Sequence, residues 1–218
     1  MSETRTISAG THGRYLVLAP RLDDAATLLV GFHGYAELAE HQMERLQTIP
    51  GADALRLLSV QALNRFYSGR SGQVVASWMT RQDRELAIAD NLAYVEAVLS
   101  EVSGKPGQEF GVVFAGFSQG VAMAFRAACA STRRVLGVVV LGGEVPPELE
   151  NHALRRIPTI LLGRGDADDR YPIAQWERDR TRLTAAGLDM RAFSFQGGHH
   201  WTAAFSEEVG RFLTALPR

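Results

Sequence analysis

The feature that most constrains the fold is the apolar run Phe110–Ala115, which ends in Gly116-Phe117-Ser118-Gln119-Gly120 and passes into the small-residue stretch Ser118–Ala130. A nearly uninterrupted apolar strand is expected where both faces of a parallel sheet are covered. The pentapeptide has the pattern G-x-S-x-G, which sets a serine on a sharp strand-to-helix turn with its hydroxyl above the sheet. Glycines on either side suit such a turn, because neighbouring backbone passes where a Cβ would clash. The plainer alternative is a glycine-rich turn in which Ser118 merely caps the following helix. The strand before it and the small-residue helix after it favour the elbow.

The rest of the chain repeats this alternation. Tyr15–Ala19, Thr27–Phe32, Leu55–Ala62, Val135–Leu141, Ile157–Gly163 and Met190–Phe195 read as strands, with a turn around Pro20-Arg21-Leu22-Asp23-Asp24. Ala36–Thr48, Arg81–Val102, Gln175–Ala186 and Thr202–Leu216 read as helices. In the longest of them Leu92, Val95, Leu99 and Val102 share a face, and Gly104 with Pro106 marks its end. Strands alternating with helices predict an α/β fold, a mostly parallel twisted sheet with helices on both faces. With no linker or repeat, residues 1–218 are expected to form a single domain.

Composition narrows the function. The 218 residues are 46% hydrophobic and 22% charged, with a formal net charge of −1. That excludes disordered, collagen-like and coiled-coil chains, and it leaves no electrostatic footprint for nucleic acid or an anionic membrane. Cys129 has no partner for an internal disulfide, and no Cys/His spacing suggests zinc, so a reducing, cytoplasmic setting is expected. No apolar stretch is long enough to span a bilayer, and the polar start Met1-Ser2-Glu3-Thr4-Arg5 does not resemble a signal peptide. Lys105, the only lysine, lacks the glycine pattern of a Walker A loop.

A serine hydroxyl needs a base, and the base needs an orienting acid. In elbow-bearing folds these follow in the order acid, then histidine. Gly163-Arg164-Gly165-Asp166-Ala167-Asp168-Asp169 follows a late strand and offers three candidate acids. Gly197-Gly198-His199-His200-Trp201 follows the last strand and offers the base. Both loops lie at strand carboxyl ends, where open α/β sheets bind ligands. An early strand ends in Gly31-Phe32-His33-Gly34-Tyr35-Ala36-Glu37. An oxyanion hole takes one backbone N–H from such a loop and one from the residue after the nucleophile, here Tyr35 and Gln119. His33 is expected to organise that loop by bonding backbone beneath the site. His12, His41 and His152 are expected to be solvated.

These motifs resemble the phospholipase/carboxylesterase group of α/β-hydrolases, which includes acyl-protein thioesterases and small bacterial carboxylesterases. The likeness covers nearly the whole chain. Phe32-His33-Gly34 is similar to the family's oxyanion loop, and the elbow includes its usual Gln. Leu141-Gly142-Gly143-Glu144-Val145-Pro146 resembles the strand end that follows it. Gly165-Asp166-Ala167-Asp168 with Tyr171-Pro172 resembles the family's acid loop, which assigns the acid to Asp168. Gly198-His199-His200-Trp201 resembles its G-H-x-W ending, which assigns the base to His199. Ser77-Trp78-Met79 resembles a segment near the acyl site. Ala36 stands where a second glycine is frequent, Glu37 where Asp is frequent, and Met79 where Phe is usual.

The resemblance implies a serine esterase acting through Ser118, His199 and Asp168 on carboxylic esters, or thioesters, of small or short-acyl substrates. No metal or organic cofactor is implied. Trp78, Phe117, Val145 and Trp201 are expected as apolar walls of the acyl site. Lysophospholipase, amidase or acyltransferase chemistry on the same framework remains open, as do a non-catalytic binding homologue and a homodimeric state.

Overall fold

The computed structural model describes residues 2–21, 27–69, 71–102 and 110–217. In chain order its strands are β1 (Arg14–Leu18), β2 (Thr27–Phe32), β3 (Arg56–Gln61), β4 (Asn64–Tyr67), β5 (Val74–Ser77), β6 (Gly111–Phe117), β7 (Val135–Leu141), β8 (Thr159–Gly165) and β9 (Asp189–Phe195). Its α-helices are α1 (Ala39–Gln47), α2 (Arg84–Val102), α3 (Gln119–Ala130), α4 (Asn151–Leu154), α5 (Ile173–Ala185) and α6 (Ala203–Thr214). Seven strands form one sheet in the order β1-β3-β2-β6-β7-β8-β9. All of its pairings are parallel except the edge pair β1–β3. The α/β class and the mainly parallel sheet therefore stand as the sequence predicts.

Period-two alternation feeds two apolar layers. Leu28, Val30, Phe32, Val112, Phe114, Val138, Val140, Ile160 and Leu162 face one side, against Val95, Val98 and Leu99 of α2, Phe125 of α3 and Leu183 of α5. Leu29, Val113, Ala115, Val139, Leu141 and Leu161 face the other, against Met43 and Leu46 of α1 and Phe205, Val209 and Phe212 of α6. Every residue of β6 is buried, as the run of apolar residues requires.

α1, α2, α3 and α6 begin later than the sequence pattern suggests, whereas α5 begins earlier, at Ile173 rather than Gln175. Residues 36–38 are used in a turn and in an isolated bridge from Glu37 to Ala76, which delays α1. The β4–β5 hairpin was not expected, because its strands are only four residues each and β4 alternates between half-buried and exposed. The turn at Leu22-Asp23-Asp24 and the stop at Gly104 and Pro106 lie outside the described residues. Among the described residues no helix is long and apolar enough to cross a membrane.

Register positions the site. Phe32 pairs with Gly116, so β2 and β6 end level and the loop after Phe32 lies beside the elbow. Gly165 pairs with Phe195, so β8 and β9 also end level, with their following loops adjacent. Strand order reverses at β2/β6, the switch point where α/β sheets bind ligands.

Candidate active site

Ser118 has φ 54° and ψ −119°, a backbone conformation sparsely populated by non-glycine residues. Packing enforces it. A Cβ on Gly116 would meet the Gly120 carbonyl oxygen at 2.4 Å, and one on Gly120 would meet the Phe32 carbonyl oxygen at 2.1 Å. Neither contact is tolerable, so glycine at 116 lets the elbow close on itself and glycine at 120 lets it touch the end of β2. The Ser118 N–H is held by the Leu141 carbonyl at 2.9 Å.

The hydroxyl meets the histidine loop. His199 Nε2 lies 2.8 Å from Ser118 Oγ, and its Nδ1 lies 2.9 Å from Asp168 Oδ2 and 3.0 Å from Asp168 Oδ1. Asp168 is buried, and its Oδ1 also accepts the N–H groups of Arg170 and Tyr171, each at 2.9 Å. Arg164, itself buried, braces this loop by donating from Nε to the Tyr171 carbonyl and from Nη2 to the Asp168 carbonyl. The competing acids have other places. Asp166 Oδ1 accepts the Gly197 N–H at 2.9 Å and so ties the two loops together, while Asp169 is exposed.

His33 is fully buried and bonds only backbone. Its Nε2 accepts the Ala62 N–H at 3.0 Å, so the ring proton sits on Nδ1, which donates to the Gly34 carbonyl at 2.7 Å. Burial lowers its pKa from 6.5 to about 4, which keeps the ring neutral. The Gly34 carbonyl and the Tyr35 N–H are opposite ends of one trans peptide plane. Pinning the carbonyl inward to His33 therefore turns the Tyr35 N–H outward. Among the described residues no protein acceptor takes up the N–H of Tyr35 or of Gln119, the first residue of α3. The Gln119 side chain reaches away to the 77–78 segment, accepting the Trp78 N–H at 2.9 Å and donating to Ser77 Oγ at 3.1 Å.

The four expected walls divide. Phe117 lies against His199, with ring centroids 5.1 Å apart, and Trp201 is half-buried on Phe205 with its Nε1 bonded to Ser206 Oγ. Phe117, Trp78 and Val145 are all buried in the core. Trp78 packs on Phe32 and donates from Nε1 to the His33 carbonyl at 2.9 Å, so it supports the β2 loop from below. Val145 is fixed through its N–H to Asp179 Oδ2, a carboxylate that also accepts the Tyr171 hydroxyl.

Sequence reasoning missed two supports. The Tyr171–Asp179 contact joins the acid loop to α5, and burial pushes the Asp179 carboxyl up. Glu37 and Arg45 form a paired contact behind the β2 loop, with Arg45 also lying over the Phe117 ring at 4.1 Å. The frequent Asp at the Glu37 position was the one available signal. His12, His41 and His152 are exposed, and Cys129 is buried on α3, where burial raises its thiol to about 11. Among the described residues no cluster of three or more His, Cys, Asp or Glu side chains is placed to hold a metal ion.

Solved structures of known proteins share this fold. Similar solved structures include esterase PE8 (21% identity, covering 95% of this chain and 100% of that one, TM-score 0.74). Acyl-protein thioesterase 2 of Zea mays is similar at 23% identity, 94% and 99% coverage and a TM-score of 0.71. The Bacillus cereus carboxylesterase is similar at 13% identity, with 93% of each chain covered and a TM-score of 0.69. At these identities the likeness establishes the fold. No curated protein matches the chain in sequence. The family described as phospholipase/carboxylesterase matches residues 17–216. The chain therefore belongs to the phospholipase/carboxylesterase family of hydrolases.

Proposed function

We propose that the protein hydrolyses carboxylic esters, and thioesters, of small or short-acyl substrates through an acyl-enzyme on Ser118. The observation that carries this reading is the unbroken contact from Ser118 Oγ to His199 Nε2 at 2.8 Å and from His199 Nδ1 to Asp168 at 2.9 Å. His199 takes the serine proton as Oγ attacks the acyl carbonyl, and Asp168 holds the resulting imidazolium. The N–H groups of Tyr35 and Gln119 bind the tetrahedral oxyanion. His199 then protonates the leaving alcohol or thiol, and a water activated by the same ring releases the acid. Each step uses protein groups and water.

The short-acyl part rests on the burial of Trp78 and Val145, which removes two apolar side chains from any open acyl channel. Phe117 is buried too, against the imidazole and under the Arg45 guanidinium, so Trp201 is the one of the four expected walls that stays half-exposed.

The test is turnover of p-nitrophenyl esters of graded acyl length, together with covalent labelling by a fluorophosphonate. Ser118→Ala is expected to keep the fold, to lose labelling, and to lose ~10⁴-fold or more in kcat. Persisting turnover in that variant would remove the serine from its role. Faster cleavage of long acyl chains than of acetate or butyrate would overturn the size preference.

A further inference from the structure

Glu37 and Arg45 are eight residues apart, one in the β2 loop and one on α1, and they meet bidentately. Arg45 Nη1 donates to Glu37 Oε2 at 2.6 Å, and Nη2 donates to Oε1 at 2.5 Å. Both side chains are about four-fifths buried, at 18% and 21% exposure, so this pair is not a solvent-screened surface bridge. The same Oε2 accepts the Gly34 N–H at 2.8 Å. The Arg45 bonds and that N–H hold the Glu37 carboxyl below its ordinary pKa, against the desolvation that opposes them. Arg45 is fixed in turn by the Phe117 ring beneath it and by a bond from Nη1 to Gln42 Oε1.

The carboxylate thus grips the loop one peptide before Tyr35. Placed there alone, its negative charge would oppose the negative oxygen that builds up at the Tyr35 N–H. Arg45 covers both carboxylate oxygens and brings the local charge to zero. We propose that Glu37 and Arg45 are positioning residues whose neutral pair orients the oxyanion-binding loop without opposing the charge that the loop must bind. This rests on the reading of Tyr35 and Gln119 as the oxyanion hole.

The sign of each single substitution follows. Arg45→Gln leaves a largely buried carboxylate beside the hole without its cation, and kcat is expected to fall ~10–100-fold with KM little changed. Glu37→Gln keeps an acceptor for Gly34 N–H and leaves a cation, so its loss is expected to be no more than ~5-fold. The double variant Glu37→Gln/Arg45→Gln restores neutrality and should recover most of what Arg45→Gln alone loses. Arg45→Lys keeps the charge and is expected to stay within ~10-fold of wild type.

The experiment measures kcat, KM and the rate of fluorophosphonate labelling for these four variants, with thermal unfolding run alongside. A purely structural pair predicts instead that the double variant is at least as impaired as either single one, with kcat following the loss of Tm. That pattern, or equal turnover in all four, overturns the proposal. If Arg45→Gln does not fold, Arg45→Lys and the double variant carry the test: turnover in the double below a tenth of Arg45→Lys overturns it. Failure of the proposed serine-hydrolase function looks different, because wild type would then be unlabelled at Ser118 whatever these variants do.

Discussion

The two halves of the site are held by different means. At the β2/β6 half the backbone is strained: Ser118 has φ 54° and Ala36 has φ 59°. At the β8/β9 half, no non-glycine residue of the 166–171 and 197–200 loops has a positive φ. That half is held by polar groups, with Asp166 on the Gly197 N–H, Asp168 on two N–H groups, and Arg164 on two carbonyls. In the proposed mechanism the strained half thrusts a hydroxyl and aims two N–H donors, and close packing over-determines its backbone. Satisfied hydrogen bonds suit the half that must hold one ring in one tautomer. Substitutions in the first half should therefore act through backbone geometry, and those in the second through orientation and charge.

The largest effect expected within this comparison separates two aspartates of the hydrogen-bonded half. In Asp168→Asn the amide offers no charge to the imidazolium and can present its NH2 group to Nδ1, which favours the wrong tautomer. A fall of ~10³–10⁴-fold in kcat is expected. Asp166→Asn keeps an oxygen for the Gly197 N–H, so it is expected to lose less than ~10-fold. Rates on p-nitrophenyl acetate decide the matter, and a larger loss at 166 than at 168 would reassign the acid.

The buried histidine of the strained half yields a prediction about pH and stability. Burial is the main cause that lowers His33 from 6.5 to about 4. The folded state thus resists a proton that the unfolded chain accepts, since charging Nε2 would break its bond from Ala62 N–H. The stabilising contribution is complete above about pH 6.5 and is lost as pH falls toward and below the folded value. By pH 5 the loss amounts to roughly 2 kcal/mol. Urea unfolding of wild type and His33→Gln at pH 7 and pH 5 isolates it. The wild-type advantage should shrink by about that amount, and an advantage unchanged between the two pH values would show that the histidine is not held neutral.

How much of this was readable in the chain depends on the range of the interaction. Thr27–Phe32 and Val135–Leu141 were delimited correctly because buried parallel strands are apolar runs bounded by polar or glycine residues. The elbow was legible for a similar reason, since its constraint lies within five residues. The chain order acid-then-histidine, with level strand ends, brings His199 to Ser118. The hidden parts are contacts between segments whose residues look ordinary alone. Nothing local to Glu37 or Arg45 shows that they meet, and Trp78 read as a wall because its hydrogen bond to the His33 carbonyl has no local signature. The late start of α1 was hidden because nothing in Tyr35-Ala36-Glu37 announces a left-handed residue when that residue is alanine.

That alanine supplies the smallest and most direct test of the strained half. At φ 59° an L-residue with a Cβ lies about 1 kcal/mol above glycine. Its neighbours leave it no alternative, because Ala36 N–H donates to the Ala76 carbonyl at 3.0 Å while Ala76 N–H returns to the Glu37 carbonyl at 3.1 Å. Ala36→Gly removes that strain but frees the unfolded chain, which offsets roughly half of the gain. A net stabilisation of about 0.5 kcal/mol is therefore expected by urea unfolding. Esterase activity should be unchanged, since the two backbone bonds to Ala76 and the Glu37 contact to Gly34 stay in place. A destabilised Ala36→Gly variant would mean that the alanine methyl contributes packing worth more than the strain. The contrast between a strained half and a relaxed one would then rest on Ser118 alone.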